Sequence, residues 1–141
     1  MSTILALDYG RRRIGLAVAD PTATLATPLG CHDARHDGPV RDHLARLLAE
    51  HDVTELVVGL PLTADGRRGE LALAAERFAD RLREWFGLPV HLVDERYTTR
   101  EAAGLLRAGG HRRRPRGDRD AAAAALILQQ FLDGRRREER P

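Results

Sequence analysis

Residues 3–9, Thr-Ile-Leu-Ala-Leu-Asp-Tyr, are apolar at successive positions up to Asp8, the pattern of a strand covered on both faces. Such a strand belongs in the middle of a sheet. Gly10 and the arginines after it form a tight turn. Residues 13–19 then resume as a strand, with Ile14, Leu16 and Val18 on one face and Gly15, Ala17 and Ala19 on the other. So short a connection requires an antiparallel hairpin. A third strand is predicted within 24–32, between Pro21 and the polar stretch around Gly38. After Pro39, Val40, Leu44, Leu47 and Leu48 recur at helical spacing to about Asp52. Residues 55–60 read as a buried strand ending at Pro61. Beyond an Asp65-Gly66 turn, a long helix carries Leu71, Ala75, Phe78, Leu82 and Trp85 on one face and closes at Gly87 and Pro89. Residues 90–95 form another strand. Thr98 and Glu101 have capping-box spacing and open a short helix through Leu105 and Leu106 to Gly109-Gly110. A basic loop over 111–119 leads to a final helix from about Asp120, with Ala124, Leu128, Phe131 and Leu132 inward. The charged residues 134–141 are predicted to fray or be disordered, leaving one domain over 1–133.

The predicted order is β-β-β-α-β-α-β-α-α. A meander followed by right-handed βαβ crossovers gives a three-layer α/β protein, a mixed five-stranded sheet with helices on both faces. That order resembles the ribonuclease H-like fold. The small stripe Gly15, Ala17 and Ala19 matches the small run Ala121 to Ala125, and the two surfaces are expected to meet.

With 141 residues the chain can bury a full core, but it is too short for a two-lobed kinase or an actin-like ATPase of two lobes. All 23 Lys+Arg residues are arginine, against 21 acids, for a net charge of +2. The distribution says more than the total. Residues 1–100 carry 13 Arg and 15 acids, net −2, whereas 101–141 carry 10 Arg and 6 acids, net +4. A basic C-terminal third points to a polyanionic partner. The single Cys31 forms no internal disulfide, and with His32 and His36 it reads as a surface loop rather than a zinc site. Charged residues interrupt the N-terminal apolar stretch and no run of 18 apolar residues occurs, so a cytoplasmic protein with no membrane partner is expected.

Three acids stand where the strands and the last helix would present them together. Asp8 lies at the carboxyl end of the first strand and Glu95 at that of the last. If the first, fourth and fifth strands are parallel neighbours, both emerge on the edge where open α/β sheets bind ligands. Asp120 would join them from the start of the last helix. Two carboxylates about 4 Å apart repel by roughly 4 kcal/mol at an effective dielectric near 20, so such a group makes sense around a cation. Oxygen ligands suit Mg²⁺ or Mn²⁺, and the chemistry such a site performs is phosphodiester hydrolysis. Spacing alone leaves Asp94 or Glu95 open, because successive strand residues face opposite sides. Asp118 and Asp120 are also open, since both suit a helix start as capping acids.

Four strings in order resemble the YqgF family, also called RuvX. Ala6-Leu7-Asp8-Tyr9-Gly10-Arg11-Arg12-Arg13-Ile14-Gly15 through Asp20 resembles its opening motif. Val57-Val58-Gly59-Leu60-Pro61-Leu62 with Asp65-Gly66 resembles the second. Asp94-Glu95-Arg96-Tyr97-Thr98-Thr99, and Asp120 through Ile127-Leu128-Gln129, resemble the third and fourth. Thr63 and Tyr97 depart from residues common in the family, and neither is one of the acids.

The resemblance implies a ribonuclease H-like, divalent-metal nuclease that matures the 5′ end of pre-16S ribosomal RNA, with Asp8, Glu95 and Asp120 as catalytic and metal-binding residues. In that frame Arg11, Arg12, Arg13, Arg67, Arg68, Arg96, Arg112, Arg113, Arg114 and Arg116 form a basic rim for nucleic acid. Few aromatic residues are present, which argues for backbone recognition over base stacking. The expected partner is structured RNA, as pre-rRNA or on the pre-ribosome. Branched DNA, as in a Holliday junction resolvase, is one alternative and a non-catalytic RNA-binding assembly factor another. A monomer or weak dimer is expected.

Overall fold

The computed structural model describes residues 3–20, 22, 26–35, 37–61, 65–95 and 116–139. In chain order these form β1 (Thr3–Tyr9), β2 (Arg13–Ala19), β3 (Thr27–Asp33), α1 (Asp37–Glu50), β4 (Val53–Leu60), α2 (Glu70–Phe86), β5 (Val90–Asp94) and α3 (Arg116–Glu139). The short helix expected after Thr98 lies outside the described residues, as do Arg96, Arg112, Arg113 and Arg114.

The five strands form one sheet in the order β3-β2-β1-β4-β5. β1 and β2 are antiparallel, with Asp8 opposite Gly15, and β2 and β3 are antiparallel as well. β4 runs parallel to β1 and β5 runs parallel to β4. The doubly apolar β1 therefore holds the centre, with Ile4 through Leu7 wholly inaccessible to solvent.

Strand alternation sends Leu5, Leu7, Ile14, Leu16, Leu56 and Val58 to the face covered by α1 and α2, where Val40, Leu44, Phe78 and Leu82 meet them. Gly87 ends α2 in the left-handed conformation, φ 64°, and its N–H donates to the Arg83 carbonyl at 2.9 Å, the αL ending that glycine makes easy.

The opposite face is lined by small residues and carries α3 alone among the described helices. Ile4, Ala6, Ala17, Ala19 and Val57 pack there against Ala124, Ile127, Leu128 and Leu132. The expected meeting of the two alanine-rich surfaces is therefore present. At Gly15 the approach is closest, because a Cβ built there would overlap the backbone carbonyl of Asp120. The helix lies close to the sheet because β2 turns Gly15, Ala17 and Ala19 toward it.

Two boundaries differ from expectation. Helix α3 begins at Arg116, so the end of the expected basic loop is helical. It also continues to Glu139, so residues 134–139 are helical and not frayed. The reason is an anchor at the far end of the helix. Arg135 grips both Glu55 oxygens, Nη1 to Oε1 at 3.1 Å and Nη2 to Oε2 at 2.7 Å, and lies over the Phe131 ring. His91 meets the same Glu55 carboxylate at 2.8 Å. Cys31 and His32 likewise sit in β3 rather than in a loop, with the His32 ring stacked on His43 at 4.4 Å.

Ala17, wholly buried under α3, tests this packing. Ala17→Leu forces the helix outward and is expected to lower stability by about 1–3 kcal/mol, read as a fall in the urea midpoint. An unchanged midpoint would mean that α3 does not press on β2.

Candidate active site

The carboxyl ends of β1, β4 and β5 define one edge of the sheet, and three acids reach it on the α3 face. In β5, Val90 joins the core on the α1/α2 side and Val93 packs toward α3. Continued alternation puts Asp94 on the first side and Glu95 on the second. The Glu95 N–H donates to the Leu60 carbonyl at 3.0 Å, extending the β4–β5 ladder by one residue and fixing that parity. Glu95, not Asp94, is the acid that meets Asp8.

Between them lies β4. Strands sit about 4.8 Å apart, so side chains on β1 and just past β5 must reach across the intervening strand to touch. The residue at that position of β4 is Gly59. A Cβ there would stand 2.5 Å from Glu95 Oε1 and 2.5 Å from Ile127 Cδ1. The missing side chain is the space that the Glu95 carboxyl occupies.

The two carboxyls are hydrogen-bonded to each other. Burial, above all, raises the Asp8 pKa, and the negative Asp120 adds to this while the bond to Glu95 opposes it. Glu95 is pushed up to about 9, first by burial and then by its hydrogen bond and charge contact with Asp8, with Asp94 adding a little. At neutral pH Glu95 therefore keeps its proton and donates it to Asp8. Two acids sharing one proton are what a pair of buried like charges becomes without a cation between them.

Asp120 comes from the first turns of α3, above Gly15 on the other side of β1. Its Oδ2 accepts a hydrogen bond from Arg13 Nε at 3.0 Å, and both side chains are about one-third exposed. Asp120 is thus near enough to act on Asp8, but its carboxylate is turned to an arginine. Among the described residues no three His, Cys, Asp or Glu side chains stand close enough to grip an ion as they are placed. The donors at this edge are all carboxylate oxygens, which is the set a hard divalent cation prefers. The side chain of Asp118 lies outside the description.

The basic rim resolves into individual partners. Arg11 pairs with Glu70 at 3.1 Å across the β1–β2 and β4–α2 connections, which places those two connections side by side. Arg67 pairs with Asp65 at 3.0 Å and Arg68 with Glu76 at 2.9 Å. These two precede α2, where a cation opposes the helix dipole, and pairing with an acid offsets that opposition. The Arg12 side chain is exposed. Sequence reasoning did not foresee the use of Gly59, although a glycine in an otherwise apolar strand is a sign of close approach. Arg13, expected in the basic rim, shares the parity of Gly15 and so faces α3, where it meets Asp120.

Comparison with known proteins agrees with this geometry. The family model described as RuvX, Holliday junction resolvase, matches residues 2–134. A protein of Chloroflexus aurantiacus, provisionally named a pre-16S rRNA nuclease, is 42% identical over 134 residues, 94% of this chain and 88% of that protein. A protein of the same name from Anaeromyxobacter sp. (strain Fw109-5) is 48% identical over 134 residues, 93% of this chain and 96% of its own. Among solved structures, Thermus thermophilus RuvC in complex with a Holliday junction substrate superposes with a TM-score of 0.62 at 15% identity, covering 96% of each chain. The fowlpox virus Holliday junction resolvase superposes with 0.60 at 10% identity, covering 94% of this chain and 99% of that one. These two likenesses carry the fold. With a ribonuclease H-like sheet, an acidic edge built across two glycines and a family match over nearly its whole length, the chain is a nuclease of the RuvX family.

Proposed function

We propose that the chain is a divalent-metal-dependent nuclease that hydrolyses phosphodiester bonds near the 5′ end of the small-subunit ribosomal RNA precursor, in the cytoplasm. The observation that carries the metal is the convergence of two buried carboxyls, Asp8 and Glu95, across Gly59, with a third, Asp120, beside them. In this reading Asp8, Glu95 and Asp120 hold Mg²⁺ or Mn²⁺, and the ion supplies the positive charge that the reacting phosphate and its attacking water require. The names of the relatives support RNA as substrate.

The chain's own residues divide the remaining work. Glu95 would release its proton to solvent on holding the ion, and Asp8 would no longer share it. Gly59 keeps the gap over β4 open. Arg12, with Arg96, Arg112, Arg113 and Arg114 from the segment between β5 and α3 and Arg116 at the start of α3, would hold the strand's phosphates. Arg11, Arg67 and Arg68 would exchange their acidic partners for phosphate only in part, so their loss would cost less.

Incubation with precursor ribosomal RNA and with a four-way DNA junction, in Mg²⁺, Mn²⁺ or EDTA, tests the reading. Cleavage of the RNA in metal, none in EDTA, and a loss of about 10²-fold or more in Glu95→Gln are expected. Equal cleavage by wild type and variant would remove the assigned site, and cleavage of the junction alone would replace the substrate. Gly59→Ala displaces Glu95 and is expected to lower the rate at least tenfold with the fold retained, checked by circular dichroism.

The raised acids also fix the sign of a stability change. Glu95 binds its proton more tightly folded than unfolded, so the metal-free protein loses stability as pH rises from about 4.5 through about 9. Thermal midpoints in EDTA should fall across that window, and Glu95→Gln should flatten the fall and exceed wild type near its upper end. Added Mg²⁺ should raise the wild-type midpoint there and leave Glu95→Gln nearly unmoved. A midpoint in EDTA that climbs over the same range would contradict the shared proton.

A further inference from the structure

Arg13 is the basic residue of the hairpin that does not point outward. Lying on β2 with the parity of Gly15, it turns toward α3, and among the described residues its one side-chain hydrogen bond runs from Nε to Asp120 Oδ2 at 3.0 Å. The Asp120 side chain makes no other hydrogen bond among them, so one carboxylate oxygen is taken and Oδ1 is left. The side chains are 37% and 30% exposed, which leaves the guanidinium within reach of a ligand while shielding the pair from full screening. Its two Nη groups face no acceptor among the described residues.

A cation fixed on one of three acids has a consequence for any second cation. A dication arriving beside Asp8 and Glu95 meets the positive charge of Arg13 and must share Asp120 with it. Phosphate, in contrast, accepts the planar fork of an arginine in bidentate fashion and brings negative charge of its own. A nucleic acid strand that engaged the Nη groups would draw Arg13 from Asp120 and lower the cost of loading the ion.

We propose that Arg13 is a positioning residue that serves Asp120 as a built-in counter-ion, competing with the divalent cation until a phosphodiester strand takes the guanidinium, so that metal and nucleic acid bind cooperatively. The proposal rests on the reading of Asp8, Glu95 and Asp120 as a metal-binding edge. It requires that each ligand strengthen the other by the same factor.

Mn²⁺ titration followed by electron paramagnetic resonance, on wild type, Arg13→Gln, Arg13→Lys and Asp8→Asn, separates the two claims. Without nucleic acid, Arg13→Gln is expected to bind Mn²⁺ about tenfold more tightly than wild type, and Arg13→Lys within about twofold of it. A short phosphorothioate oligonucleotide, with its own Mn²⁺ binding subtracted through Asp8→Asn, should tighten wild type about tenfold and Arg13→Gln by little. Equal or weaker binding by Arg13→Gln overturns the counter-ion role, as does tightening in Arg13→Lys as large as in Arg13→Gln. Should Arg13→Gln fail to fold, the oligonucleotide effect on wild type decides alone, and its absence overturns the proposal. Wild type and Asp8→Asn binding Mn²⁺ alike would instead overturn the metal site itself.

Discussion

A helix brings its backbone against a strand, and a carboxyl group crosses over one, only where the strand lacks a Cβ. The α3 face meets this requirement twice. At Gly15 the backbone of Asp120 occupies the space of the missing side chain, and at Gly59 the Glu95 carboxyl and the tip of Ile127 do so. These two positions flank Asp8 on either side of the central strand, through the β1–β2 and β1–β4 pairings. Without them the three acids would belong to separate elements at strand spacing. With them, all three reach one edge.

The core is divided to the same end. Large side chains fill the α1/α2 side, where Phe78, Leu44 and Leu82 hold the helices at ordinary distance. Alanines line the α3 side and draw that helix in. The helix is fixed at both ends by arginine and carboxylate, Arg13 with Asp120 at the acidic edge and Arg135 with Glu55 at the opposite one. The Glu55 carboxyl is held below the usual range chiefly by its bond to Arg135, so this far anchor stays charged at neutral pH. The two anchors differ in use. The far one is bidentate and also joined by His91, whereas the near one is a single bond at a place where a ligand can compete.

Much of this was legible in the sequence. The unbroken apolar run of β1 marked the central strand, and the alternation of Ile14, Leu16 and Val18 with Gly15, Ala17 and Ala19 gave both faces of β2. The short connection after Tyr9 required the hairpin, and the crossovers required the parallel neighbours. The choice between Asp94 and Glu95 was not legible, because it depends on whether the ladder continues past Asp94. The bond from Glu95 N–H to the Leu60 carbonyl shows that it does. Arg13 read as one of three equivalent arginines because its partner, Asp120, lies 107 positions away. The C-terminal helix read as frayed because Arg135 finds Glu55 80 positions away, which no local pattern reveals.

We propose that Asp8 and Glu95, paired across Gly59, hold a divalent cation between them. Crystals grown in Mn²⁺, with anomalous diffraction recorded at the manganese edge, test it most directly. The account predicts an anomalous peak within coordinating distance of Asp8 and Glu95, with Asp120 turned toward it. Crystals saturated in Mn²⁺ with no peak at this edge, and with Asp8 and Glu95 still hydrogen-bonded to each other, would contradict it.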